Sequence, residues 1–300
     1  MLFYTLAFAT NIQKAIIAII MMMMNPKKKT IQLRRTIVHY WEHSTNKKPT
    51  LILVHGITGS HEGFQYMVPL LADYHLIVPD LPGFGVSPLP HDNLTLVELG
   101  TLLADFIEAL HLKDKPFILG HSMGSLVVAE TLAQQPKLVH HKVIFASPVP
   151  TPIGRLDARR PGAMLTKGYY TLSRIIPRLS KSKIITRLST KVMITTKDKT
   201  LKRAIYEHHY GNLNYISSIA WYSRLYKEVN SKGMSDYKTT LSAFDVLVVS
   251  GERDMVTPLK HQKKAAAALA TRLEIIPGVG HLAHYERPQE LVAAIKNFLQ

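Results

Sequence analysis

Short segments with apolar centres recur along the chain at Thr50–Val54, His75–Pro79, Lys115–Leu119, His141–Ala146 and Asp245–Ser250, and Arg272–Pro277 reads as a further strand. A strand open to water on one face alternates apolar and polar residues, whereas one buried on both faces has no polar side to show. Between these runs lie stretches of helical period. Leu94 to Leu110 puts Leu99, Leu102, Leu103, Phe106 and Leu110 on one face, and Arg287 to Leu299 does the same with Leu291, Val292, Ile295 and Phe298. Gly63 to Asp73 and Pro258 to Ala270 read as further helices. Such alternation predicts an α/β fold, a mostly parallel sheet with helices on both faces. Ile31, Leu33, Ile37, Val38 and Tyr40 fit one or two additional strands ahead of it.

The run ending at Leu119 passes into Gly120-His121-Ser122-Met123-Gly124 and then into the helix-compatible Ser125–Ala133. Gly-x-Ser-x-Gly between strand and helix is the pattern of a nucleophile elbow, in which the tight turn lifts the serine hydroxyl clear of the sheet. The pentapeptide alone is weak, because glycine and serine fall into this spacing by chance. A serine also needs a base to take its proton and an acid to orient that base. Open parallel sheets gather such groups beyond the carboxyl ends of their strands. Asp254 follows the 245–250 run and His281 follows the 272–277 run, giving the order Ser, Asp, His. Asp245 precedes its strand, Asp236 sits at the edge of the 151–240 stretch, and Ala146–Pro150 offers no carboxylate.

These motifs, with His55-Gly56, Asp80-x-x-Gly83-x-Gly85-x-Ser87, Gly251-x-x-Asp254 and Gly280-His281, resemble those of the α/β-hydrolase superfamily from about Thr30 to the C-terminus. The resemblance implies an α/β-hydrolase fold with Ser122 as nucleophile, His281 as general base and Asp254 as orienting acid. It also implies an oxyanion hole from the backbone N–H groups of Ile57 and Met123, with His55 bracing that loop. Ser125 stands where the family usually has a further glycine. The core would be residues 30–150 and 241–300, with residues 151–240 an inserted helical cap.

Serine at 122 disfavours reactions that need a carboxylate nucleophile, such as dehalogenation or epoxide opening. The expectation is a serine esterase or lipase-like hydrolase of a small acyl substrate. Carbon–carbon bond hydrolysis and a non-catalytic ligand receptor are the alternatives. No cofactor is implied. The chain has no cysteine, which excludes disulfides, thiolate metal sites and a cysteine nucleophile. No metal site is expected either: His284 with Glu286, and Glu207-His208-His209, lack a third ligand at metal-site spacing and read as solvated surface.

Residues 151–240 carry 18 lysines and arginines against five acids, a surplus of 13 within the formal +16 of the chain. That surplus fits solvated helix faces first, and an acidic substrate or an anionic membrane second. With no DNA-binding motif, nucleic acid is not an expected partner. Tyr169, Tyr170, Leu172, Ile175, Ile176, Tyr215, Ile216, Ile219 and Trp221 are candidates for an apolar acyl pocket or for packing of cap on core. Residues 1–29 form an apolar N-terminal segment. Its stretch Leu2–Met24 is long enough to span a bilayer, yet it carries Lys14 near its middle. Three readings compete: it anchors a cytoplasmic catalytic domain, with Lys27–Lys29 as the positive inner flank; it lies on the membrane surface; or translation starts among Met21–Met24 and the protein is soluble in the cytoplasm.

Overall fold

The computed structural model describes residues 26–43, 49–152 and 182–300. Eight strands form one sheet in the order β1-β2-β4-β3-β5-β6-β7-β8. Strands β1 (Lys27–Gln32) and β2 (Ile37–His43) pair antiparallel, and β2 runs antiparallel to β4 (His75–Pro79). The pairings among β3 (Thr50–Val54), β4, β5 (Phe117–His121), β6 (Lys142–Ala146), β7 (Asp245–Gly251) and β8 (Arg272–Ile276) are all parallel. In β3 the residues Leu51, Ile52, Leu53 and Val54 are completely buried. Two apolar layers cover the sheet. Helices α1 (Leu96–Ala109) and α2 (Met123–Gln134) contribute to one, and the closing helix α6 (Pro288–Leu299) contributes to the other. Helix α1 begins at a capping box, with the Glu98 amide bonding Thr95 Oγ1 and the Thr95 amide bonding Glu98.

The chain runs from β3 outward to β4 and then returns to lay β5 on the other side of β3. The carboxyl ends of β3 and β5 therefore flank a topological switch point, where open α/β sheets bind ligands. His55–Gly59 leaves β3 there, and Ser122 leaves β5.

Between β6 and β7 the chain leaves the sheet. Helices α3 (Lys183–Met193), α4 (Lys199–Asn212) and α5 (Ile219–Ser231) belong to this insertion. Trp221, completely buried, anchors α5 to the core: its indole N–H donates to the Leu94 carbonyl (2.8 Å) and its ring meets Phe84 edge-on. Lys232 adds an ion pair to the buried Glu130 of α2 at 2.6 Å. Most other described basic residues of the insertion, including Lys183, Arg187, Lys191, Lys202, Arg203 and Lys227, face solvent.

Three sequence expectations need correction. Lys27–Lys29 belongs to β1 and not to the N-terminal segment; its exposed edge position removes the apolar signal that marks inner strands. Residues Gly63–Asp73 form two 3₁₀ turns, His61–Phe64 and Val68–Leu71, instead of a helix. Pro69 has no N–H to donate and restricts the residue before it, so the segment cannot propagate as an α-helix. The third is the solvated-surface reading of His208, His209 and His284, which line a cavity instead. Leu2–Met24 lies outside the described residues, and among those no helix is long and apolar enough to cross a membrane.

Candidate active site

Residue Ser122 has φ 51° and ψ −120°, a left-handed conformation that a side chain pays for in strain and that surrounding structure must impose. The neighbouring glycines allow it. A Cβ on Gly120 would lie 2.6 Å from the Gly124 carbonyl oxygen, and one on Gly124 would lie 2.4 Å from that of Val54. The turn is fixed further by the Ser122 amide donating to the Ala146 carbonyl (3.1 Å). Ser125 Oγ donates to the Ser122 carbonyl at 2.6 Å, so serine at this position braces the elbow.

Beside Ser122 Oγ, at 2.9 Å, is His281 Nε2, and His281 Nδ1 is 2.8 Å from Asp254 Oδ2. All three side chains are buried or nearly so. Asp254 is held firmly. Its Oδ1 accepts the amides of Val256 and Thr257 (2.8 Å each), and its Oδ2 also accepts Thr257 Oγ1 at 2.7 Å. A carboxylate so placed accepts the Nδ1–H of His281 and leaves Nε2 as a lone pair facing the serine. The His281 backbone is fixed from the insertion, its amide donating to the Met193 carbonyl at 2.8 Å. Glu286 strengthens that junction by accepting from the Thr195 amide (2.7 Å), the Thr196 amide and the Gly280 amide (3.1 Å).

The two amides expected to bind an oxyanion come from opposite sides of the serine. Met123 is the first residue of α2, and the first amides of a helix have no carbonyl behind them to bond. Ile57 follows Gly56, which passes so close that a Cβ there would be 3.0 Å from Ser122 Cβ. His55 braces this loop through both ring nitrogens. Nε2 accepts the Leu81 amide (3.0 Å), which leaves Nδ1 to donate to the Gly56 carbonyl (2.8 Å).

The site opens into a cavity of about 510 Å³. Ile185, Leu188, Val192, Leu213, Tyr222 and Val229 supply much of its apolar wall. Of the residues expected to line such a pocket, Ile216 and Trp221 are buried in the core and Ile219 packs against it, while Tyr215 is half exposed. Tyr169, Tyr170, Leu172, Ile175 and Ile176 lie outside the described residues.

Histidines 208, 209 and 284 do not form a solvated surface. They line the cavity with His55, His121 and His281. His284 is fully enclosed, its ring 4.2 Å from that of His121. His121 Nε2 in turn donates to the His281 carbonyl at 3.3 Å. Burial, with neighbouring imidazoles, keeps His121 and His284 well below the usual histidine range and lowers His208 to about 3 and His209 to about 4. Only their positions in the sequence hinted at this, His121 inside the elbow pentapeptide and His284 one helical turn beyond His281.

A stability consequence follows from the neutral pair His208 and His209. Their folded pKa values lie below the unfolded value near 6.5, so between about pH 6.5 and 4 the unfolded chain binds protons that the folded one refuses. Their contribution is complete above pH 6.5 and is lost as the pH falls, each group removing up to about 1.4 kcal/mol per pH unit. Thermal midpoints measured at fixed ionic strength should drop steeply across that window, and less steeply in His209→Gln. A midpoint flat from pH 7 to 4.5 would contradict the burial of these rings.

The model of the alpha/beta hydrolase family matches residues 51–295. The chain belongs to the alpha/beta hydrolase family. This hydrolase is 27% identical over 266 residues to the uncharacterized hydrolase YugF of Bacillus subtilis, covering 87% of this chain and 94% of that one. It is 26% identical over 269 residues to pyrrolizixenacetamide deacetylase of Xenorhabdus hominickii, covering 84% and 91% respectively. Among solved structures, a serine hydrolase from Cycloclasticus zankles superposes with a TM-score of 0.75 at 21% identity, over 92% of this chain and 98% of that one.

Proposed function

We propose that this alpha/beta hydrolase is a serine esterase that cleaves carboxylic esters of small acyl compounds through an acyl-enzyme. The observation that carries this reading is the continuous hydrogen-bonded line from Asp254 through His281 to Ser122 at the mouth of an apolar cavity. Ser122 Oγ attacks the ester carbonyl as His281 Nε2 takes its proton, and the amides of Ile57 and Met123 receive the developing oxyanion. The alkoxide leaves with the proton from His281. Water, deprotonated by the same nitrogen, then attacks the acyl-serine; the acyl–Oγ bond breaks, His281 returns the proton to Ser122 Oγ, and the acid is released. Residues 151–240 act as a cap, whose described helices wall the acyl side. The deacetylase relative favours an amide as the second substrate class.

A series of p-nitrophenyl esters tests the reading. Each methylene buried in the cavity contributes about 0.8 kcal/mol, so kcat/KM should rise about fourfold per added carbon from acetate until the cavity is full. A rate that is flat or falls from acetate onward would contradict an acyl-binding cavity.

A further inference from the structure

The Ile57 amide is carried by a strained turn. The Gly59 amide donates to the Gly56 carbonyl at 3.0 Å, closing a four-residue turn whose third residue, Thr58, has φ 57°. That position favours glycine, and a β-branched residue there is costly. Such a conformation persists only where the surroundings over-determine it, and here the surroundings come from α4. Asn212 Nδ2 donates to the Thr58 carbonyl at 2.9 Å. A carbonyl can only accept, which fixes the orientation of the amide and directs its second hydrogen to His208 Nε2, 3.1 Å away. Ser60 Oγ lies 3.0 Å from that same nitrogen. With Nε2 accepting, Nδ1 carries the proton and donates to the Tyr285 hydroxyl, in the turn just after His281. Asn212 and His208, one helical turn apart, thereby tie the oxyanion loop to the loop that carries the base.

Resting on the serine-hydrolase reading, we propose that Asn212 and His208 are positioning residues: α4 of the cap holds the Gly56–Gly59 turn in the shape that aims the Ile57 amide at the oxyanion. Neither side chain need touch the substrate. The oxyanion exists only in the transition state, so releasing the clamp should lower kcat and spare KM.

The test uses Asn212→Ala in the full chain, with circular dichroism to show retained folding. On p-nitrophenyl butyrate we expect kcat to fall about ten- to a hundredfold with KM within about twofold, the scale of a misaligned oxyanion donor. Independently of any activity, the amides of Ile57 to Ser60 should exchange hydrogen faster than in the wild-type protein. If Asn212→Ala does not fold, His208→Phe keeps the ring volume, removes the nitrogens and should give the same two changes. Wild-type kcat with unaltered exchange in a folded variant would overturn the clamp, as would a loss confined to KM, which would make Asn212 a substrate contact. A wild-type protein inert on every ester would remove the underlying esterase reading, while the exchange measurement would still report on the clamp.

Discussion

Exchange of Ser122 for alanine is expected to lower kcat on any ester that the wild-type protein turns over by about a million-fold. Alanine accepts the same backbone conformation no worse than serine, and among the described residues Ser122 Oγ hydrogen-bonds with His281, which keeps its bond to Asp254, so the fold should be unaffected. What remains after the exchange is the proposed oxyanion hole and the cavity, which on this reading still orient an ester toward water. Steady-state rates at saturating substrate, set against the unchanged thermal midpoint of the variant, separate loss of chemistry from loss of structure. A residual rate within tenfold of wild type would place the nucleophile elsewhere.

The second large effect concerns Asp254→Asn, which should lower kcat about ten-thousandfold with little loss of folding. Asp254 accepts from four donors: the amides of Val256 and Thr257, the Thr257 hydroxyl and His281 Nδ1. The two amides select the asparagine oxygen on their side, which turns the new NH₂ toward Thr257 and His281. Facing a donor, His281 then presents a lone pair at Nδ1 and carries its proton on Nε2. That tautomer offers Ser122 a hydrogen where it needs a base. The loss should ease as the pH rises and hydroxide deprotonates the serine directly, so a pH–rate profile of the variant checks the account. A variant with near-wild-type kcat at pH 7 would mean that Asp254 does not set the tautomer.

Inner strands were readable in the sequence because burial on both faces leaves the centre of each run without a polar residue; β3 through β7 follow those runs to within two residues. The three groups of the site were readable because each sits just past a strand and the carboxyl ends of parallel strands converge in space. Legibility failed where the local signal was diluted or came from elsewhere in the chain. Edge strand β1 is three lysines and three residues of mixed character, which are held by pairing with β2 and not by burial. His208 and Asn212 show only that they share a helix face. Their partners Thr58, Ser60 and Tyr285 lie up to 154 positions away, and no periodicity encodes that meeting. Of the two roles open to Trp221 and Ile216, packing of the insertion on the core is the one they fill, because hydrophobicity alone does not separate a pocket wall from an anchor.

Ser122 is proposed as the activated nucleophile of this hydrolase. The most direct test is reaction of the intact protein with a fluorophosphonate, followed by peptide mass spectrometry of the wild type and of Ser122→Ala. The geometry predicts one phosphonyl adduct per chain, located on Ser122 and absent from the variant. An unlabelled wild-type protein, or an adduct on another residue that survives Ser122→Ala, would contradict it.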